Sequence, residues 1–179
     1  MKLRGMIGFL FLMAAGYVIF DITGASPANY IIIKDFAATA DVHLIPFMDI
    51  WDILRTGDIY NILRNIGGNI ALFMPIGFIL PLAWDVFRKL SHTMGFGICV
   101  SIWIEINQLF NYRATVADDV LLNACGVWFG WLCAKAVLHF VHFQQGRINR
   151  WDAIPAVAAM LVPYLLQTGY EMWFYLTQW

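Results

Sequence analysis

Glu105, Asn107 and Gln108 fall inside the apolar run GFGICVSIWIEINQLF, and Asp118, Asp119 and Asn123 open the next one. A charge near the centre of a bilayer costs about 2.5–3.5 kcal/mol, so a lipid-facing helix gains nothing from such groups. They must face protein or water. Glu105 and Gln108 are three residues apart, hence on one helix face. Buried there, Glu105 can serve as general base, proton site or hydrogen-bond acceptor for a bound headgroup, or it can tie helices together. Asn123 follows Asp119 by four residues and shares its face, which makes Asp119 the acid expected to point inward. Asp118 can be explained as an N-cap or first-turn acid, favoured by the helix dipole by about 0.3–1 kcal/mol. Arg113 is a planar, permanently charged fork suited to phosphate or carboxylate. It could equally anchor the membrane rim or pair with Asp118 and Asp119. Asn65 and Asn69 share a face, where amides mostly cross-link helices at about 0.6 kcal/mol each.

The candidate ligand-binding residues are therefore Asn69, Glu105, Gln108, Arg113, Asp118, Asp119 and Asn123, with Glu105 and Asp119 the catalytic candidates if the chain is an enzyme. His139 and His142 could hold a metal, but no third ligand stands near them, and a solvated interfacial pair is the expected role. His43 lies nearer the acidic group. No Ser/His/Asp order, zinc motif, P-loop or glycine-rich cradle is present, and neither a cofactor nor a metal is expected.

The setting of these residues is lipid. Of 179 residues, 61% are hydrophobic and 13% charged, more apolar surface than a soluble domain of this size could hide. A net charge of −1 argues against nucleic acid. Cys99, Cys125 and Cys133 match neither a disulfide framework nor a zinc site and are read as small core residues. With no repeat and no soluble domain, residues 1–179 are expected to form a single all-α membrane helical bundle.

Five stretches approach the roughly 20 apolar residues a crossing needs: Gly5–Phe20, Ile66–Trp84, Met94–Phe110, Val120–Val141 and Ile154–Leu176. The first is expected to be a retained anchor rather than a cleaved signal. In the long connection between the first two, HLIPFMDIWDIL suits a helix lying in the interface, with Phe47, Ile50, Trp51 and Leu54 as its membrane face. Pro75 interrupts the second span, and Gly126 and Gly130 form a GxxxG packing face that serves either the fold or a homo-oligomer. Lys2 and Arg4, Arg88 and Lys89, and Arg147 and Arg150 fall on one side, which makes the N-terminus cytoplasmic and the C-terminus external. Asn69, Glu105, Gln108, Asp118, Asp119 and Asn123 then gather in the outer leaflet as one outward-opening pocket. A transporter would need polar groups reaching both faces, whereas the inner half is nearly pure hydrocarbon.

Taken in order, HLIPF, GGNIALFMPIGF, SIWIEINQLF and RATVADDVLLNACGVWFG resemble the VanZ-like family over Val42 to Gly130. The last block is the most specific, with an arginine, two adjacent acids, an asparagine and two glycines. The family usually has asparagine at the position of His43 and often an acid at that of Val116. The resemblance implies a bacterial cytoplasmic-membrane protein, associated in its namesake with reduced susceptibility to teicoplanin-type lipoglycopeptides, with no settled reaction. On that basis the expected partners are membrane lipids and a lipid-linked cell-wall precursor or acylated drug. The alternative is a hydrolase or transferase acting on a polyprenyl-phosphate type substrate, with Glu105 and Asp119 as acid and base or as Mg²⁺ ligands.

Overall fold

The computed structural model describes residues 3–25, 42–43, 45–109, 115–141 and 150–178. Six helices account for nearly all of them. α1 is Leu3–Thr23, α2 Met48–Thr56, α3 Ile59–Ala83, α4 Leu90–Leu109, α5 Ala117–Phe140 and α6 Ala153–Thr177. α3 contains one π-helical stretch, Ile62–Gly67, and continues unbroken through Pro75 and Pro81. A 3-10 turn, Asp85–Arg88, leads into α4. Among the described residues, strand pairing is limited to two residues on each side, Val42–His43 (β1) in parallel with Thr115–Val116 (β2).

α1, α3, α5 and α6 are long and apolar enough to cross a membrane. Their apolar residues are distributed around the whole circumference, as helices between a protein core and lipid require. Leu12, Ile19, Phe73, Ile76, Leu80 and Val127 fill the core, while Leu10, Phe11, Leu165 and Trp173 remain on the outside. α4 has 20 residues, enough for about 30 Å, but is less apolar than the other four. Its polar residues account for the difference. Ser101, Glu105, Asn107 and Gln108 are buried, whereas Ile102, Trp103 and Ile106 face outward.

Small residues determine how closely the helices approach. A Cβ added at Gly126 would overlap the Ile70 carbonyl, one at Gly130 the Met74 carbonyl, and one at Gly77 the Val127 carbonyl. α3 and α5 therefore pack backbone to backbone, and the pairings of 70 with 126 and 74 with 130 mean that they run in the same direction. The GxxxG face of α5 is consumed inside the bundle. α4 runs antiparallel to α5, with Gly97 against Val127. α1 runs alongside α6 in parallel, through Gly16 against Met160 and Phe20 against Tyr164 at a ring distance of 5.4 Å.

Three sequence expectations change. The second hydrophobic helix begins at Ile59 rather than Ile66, because Asp58 caps it by accepting the Tyr60 N–H at 3.0 Å. Cys99, Cys125 and Cys133 are exposed on the bundle rather than in its core. The medium around a membrane bundle is itself apolar, so a thiol gains nothing further from burial. The interfacial segment does form a helix, α2, but it starts only at Met48, after the HLIPF half of the segment, and runs two residues past Leu54 before Gly57 ends it at φ 64°.

Candidate functional site

Side chains from α3, α4, α5 and α6 and a backbone carbonyl of α1 meet at one end of the bundle, the end opposite the start of α1. Asn123 of α5 donates from Nδ2 to Ser101 Oγ of α4 at 2.9 Å. In antiparallel helices, a step of four forward on one stays level with four back on the other. Gly97 opposite Val127 and Ser101 opposite Asn123 thus bring Glu105 level with Asp119, one turn nearer the helix ends. Glu105 is buried, at 6% exposure. Asp119 accepts from Asn69 Nδ2 of α3 at 2.7 Å, so the acid is tied to the third helix of the group. The π-helical stretch of α3 ends two residues before Asn69.

Asn107 and Gln108 extend the network to the remaining helices. Asn107 accepts from the Tyr164 hydroxyl of α6 at 2.8 Å and donates to the Trp103 carbonyl at 2.7 Å. Gln108 donates from Nε2 to the Thr23 carbonyl at the end of α1 at 3.2 Å. Two acceptors remain unused. Gln108 Oε1 and Asn123 Oδ1 are buried with no hydrogen-bond partner among the described residues. A buried acceptor left without a donor costs about 1–3 kcal/mol, so both atoms call for an O–H or N–H that the described residues do not supply. The end as a whole is rich in acceptors, since two carboxylates and two amide oxygens converge there.

Asp118 has a different task from the one its position suggests. It is the most buried of the described acids, at 1% exposure, and it caps another helix rather than its own. Its carboxylate accepts the Phe47 N–H and, at 3.0 Å, the Ile50 N–H at the start of α2. Phe47 has φ 67° and offers no side-chain cap, a left-handed conformation that costs about 1–2 kcal/mol for an L-residue. Charge-assisted hydrogen bonds from Asp118 offset that cost. Together with the β1–β2 pairing, they fasten the end of the long connection to the start of α5. α2 keeps Trp51 and Leu54 exposed, and Arg55 lies over the Trp51 ring at 5.1 Å.

The network draws on the same stretch of chain as a known family. Residues 8–140 match the VanZ/LLP1 family. The chain belongs to the VanZ/LLP1 family. No curated protein and no solved structure matches it. With its four apolar helices, this VanZ/LLP1 chain is a membrane-embedded protein. The matched stretch holds Asn69, Glu105, Gln108, Asp118, Asp119 and Asn123, and it stops short of α6, which supplies Tyr164.

Of the residues singled out from sequence, Asn69, Gln108, Asp118, Asp119 and Asn123 each make a contact at this end, and Glu105 is level with Asp119. Arg113 and His142 lie outside the described residues, and His43 is described only by its backbone pairing with Val116. Asn65 is exposed and donates to its own helix, at the Asn61 carbonyl, 3.1 Å away. His139 is at the opposite end, in a cavity with Lys135 and His92. Ser101, Thr23 and Tyr164 were not anticipated. Ser101 could have been found by its spacing of four from Glu105, whereas a lone tyrosine in an apolar run carries no such signal.

Proposed function

We propose that this VanZ/LLP1 protein binds an amphiphile of the outer leaflet, a lipid-linked envelope component or an acylated glycopeptide, and so lowers susceptibility to teicoplanin-type lipoglycopeptides. The observation carrying this reading is the convergence of Glu105, Asp119 and the two unpartnered acceptors, Gln108 Oε1 and Asn123 Oδ1, at one end of a membrane bundle. Sugar hydroxyls and ammonium groups are the donors such a set would take, and the acyl chain of the same molecule would remain in lipid. The proposed orientation has five crossings in a bacterial cytoplasmic membrane, with the N-terminus inside and the acceptor-rich end outside, supported by Arg4, Arg88 and Lys89 at the other end. Teicoplanin susceptibility of cells expressing Glu105→Gln or Asp119→Asn provides the test. Both variants are expected to be as susceptible as cells without the protein. Full protection at equal protein levels would remove this site from the mechanism.

A second reading is favoured by the level placement of Glu105 and Asp119 on facing helices. Two carboxylates across a semi-buried cleft can act as acid and base, which suits a hydrolase or transferase acting on a polyprenyl-phosphate type substrate. Purified protein that turns over a labelled polyprenyl-phosphate precursor, with loss of turnover in Glu105→Gln, would favour this reading over binding alone.

A further inference from the structure

At the end of the bundle opposite the acceptor-rich site, Asp85 is buried at 4% exposure and ion-paired with two arginines. Arg4 of α1 pairs with its Oδ2, and Arg88 Nε lies 2.9 Å from its Oδ1. One carboxylate therefore faces two guanidinium groups, and Arg88 Nη2 is buried with no hydrogen-bond partner among the described residues. Asp85, Arg88, Lys89, His92, Lys135 and His139 line a cavity of about 560 Å³ between the 3-10 turn, the start of α4 and the end of α5. Counting Arg4, four cations stand against one acid. Lys89 immediately precedes α4, so the positive end of that 20-residue helix dipole adds to the same field. His92 donates from Nδ1 to the Val86 carbonyl at 2.8 Å, since a carbonyl can only accept. That bond holds the imidazole at the cavity wall.

The cavity does not stand alone. Val86 and His92 also line an apolar groove of about 680 Å³ that runs up the outside of the bundle between α4 and α6, past Val100, Trp103 and Leu161. A cationic chamber joined to an apolar channel of this kind matches a molecule with an anionic head and a hydrocarbon tail. A free anion would fill the chamber and leave the groove without a role.

We propose that this end of the protein is a binding site for an anionic phospholipid, its phosphate among Arg88, Lys89 and Lys135 and one acyl chain in the α4–α6 groove. The phosphate supplies the acceptor that Arg88 Nη2 lacks. Nothing in this assignment depends on what the acceptor-rich end binds. Lys89 and Lys135 are exposed, so both can be replaced without disturbing the core. To test it, the purified full-length protein in neutral detergent is titrated with phosphatidylglycerol or phosphatidylcholine, and bound lipid is read by native mass spectrometry. A separate arm uses inorganic phosphate. Phosphatidylglycerol is expected to bind more tightly than phosphatidylcholine. Lys135→Gln should weaken it about fivefold, and Lys89→Gln with Lys135→Gln about 30-fold, with phosphatidylcholine unaffected. Equal retention of the two lipids, or undiminished phosphatidylglycerol binding by the double variant, would overturn the proposal. So would displacement of the lipid by inorganic phosphate alone, which would make this a site for free anions.

Discussion

At the residue scale, the acids of this chain divide by what they accept from. Asp119 takes an amide across to α3, and Asp118 takes backbone N–H groups from α2. Sequence spacing identified Asp119 and Asn123 as sharing a face, because four residues on one helix is local information. It could not show that Asp118 caps a helix some 70 residues earlier in the chain, since a contact of that range leaves no periodic trace. Asp118→Ala should leave two N–H donors at Phe47 and Ile50 unpaired and cost about 3 kcal/mol. Hydrogen exchange should then rise sharply at residues 47–50 while α5 stays protected. Loss of protection throughout the bundle would show that Asp118 supports more than α2. Tyr164→Phe removes the donor to Asn107 and should lower stability by about 1 kcal/mol, measured as a shift in the detergent unfolding midpoint.

At the scale of elements, the positions of the helices were legible and their partners were not. Every apolar run marked in the sequence is a helix, because lipid leaves the backbone no other way to satisfy its hydrogen bonds within one segment. The GxxxG of α5 was visible too, but whether it served the fold or a second chain was not, since Gly126 and Gly130 look the same in either case. Their seats against the Ile70 and Met74 carbonyls assign them to α3. Gly126→Ala should therefore force the backbones apart and cost about 1–3 kcal/mol or more, with a much reduced yield of folded protein. Gly95→Ala on α4 meets nothing within 4 Å, and should raise the unfolding midpoint slightly through better helix propensity. Equal effects from the two substitutions would contradict the close packing of α3 on α5.

For the whole molecule, polarity divides by end. Acceptors gather where α1 and α4 finish, level with Tyr164 near the middle of α6, and cations gather where α1 and α4 begin. The sequence showed the first group because those residues interrupt hydrophobic runs. It hid the chamber at the other end, because Arg4, Asp85, Arg88 and Lys135 read singly as flanking charges. If the proposed orientation holds, a membrane-impermeant maleimide applied to intact cells should label Asp58→Cys and leave Lys89→Cys unlabelled in a cysteine-free background. The reverse pattern would invert the protein. The most direct measurement is cross-linking in native membranes with a short bismaleimide. Glu105→Cys should join Asp119→Cys, and should not reach the native Cys133, which is about 21 Å further along α5. If Glu105→Cys joins Cys133 in place of Asp119→Cys, the two carboxylates are not at one depth, and the acceptor-rich site does not exist.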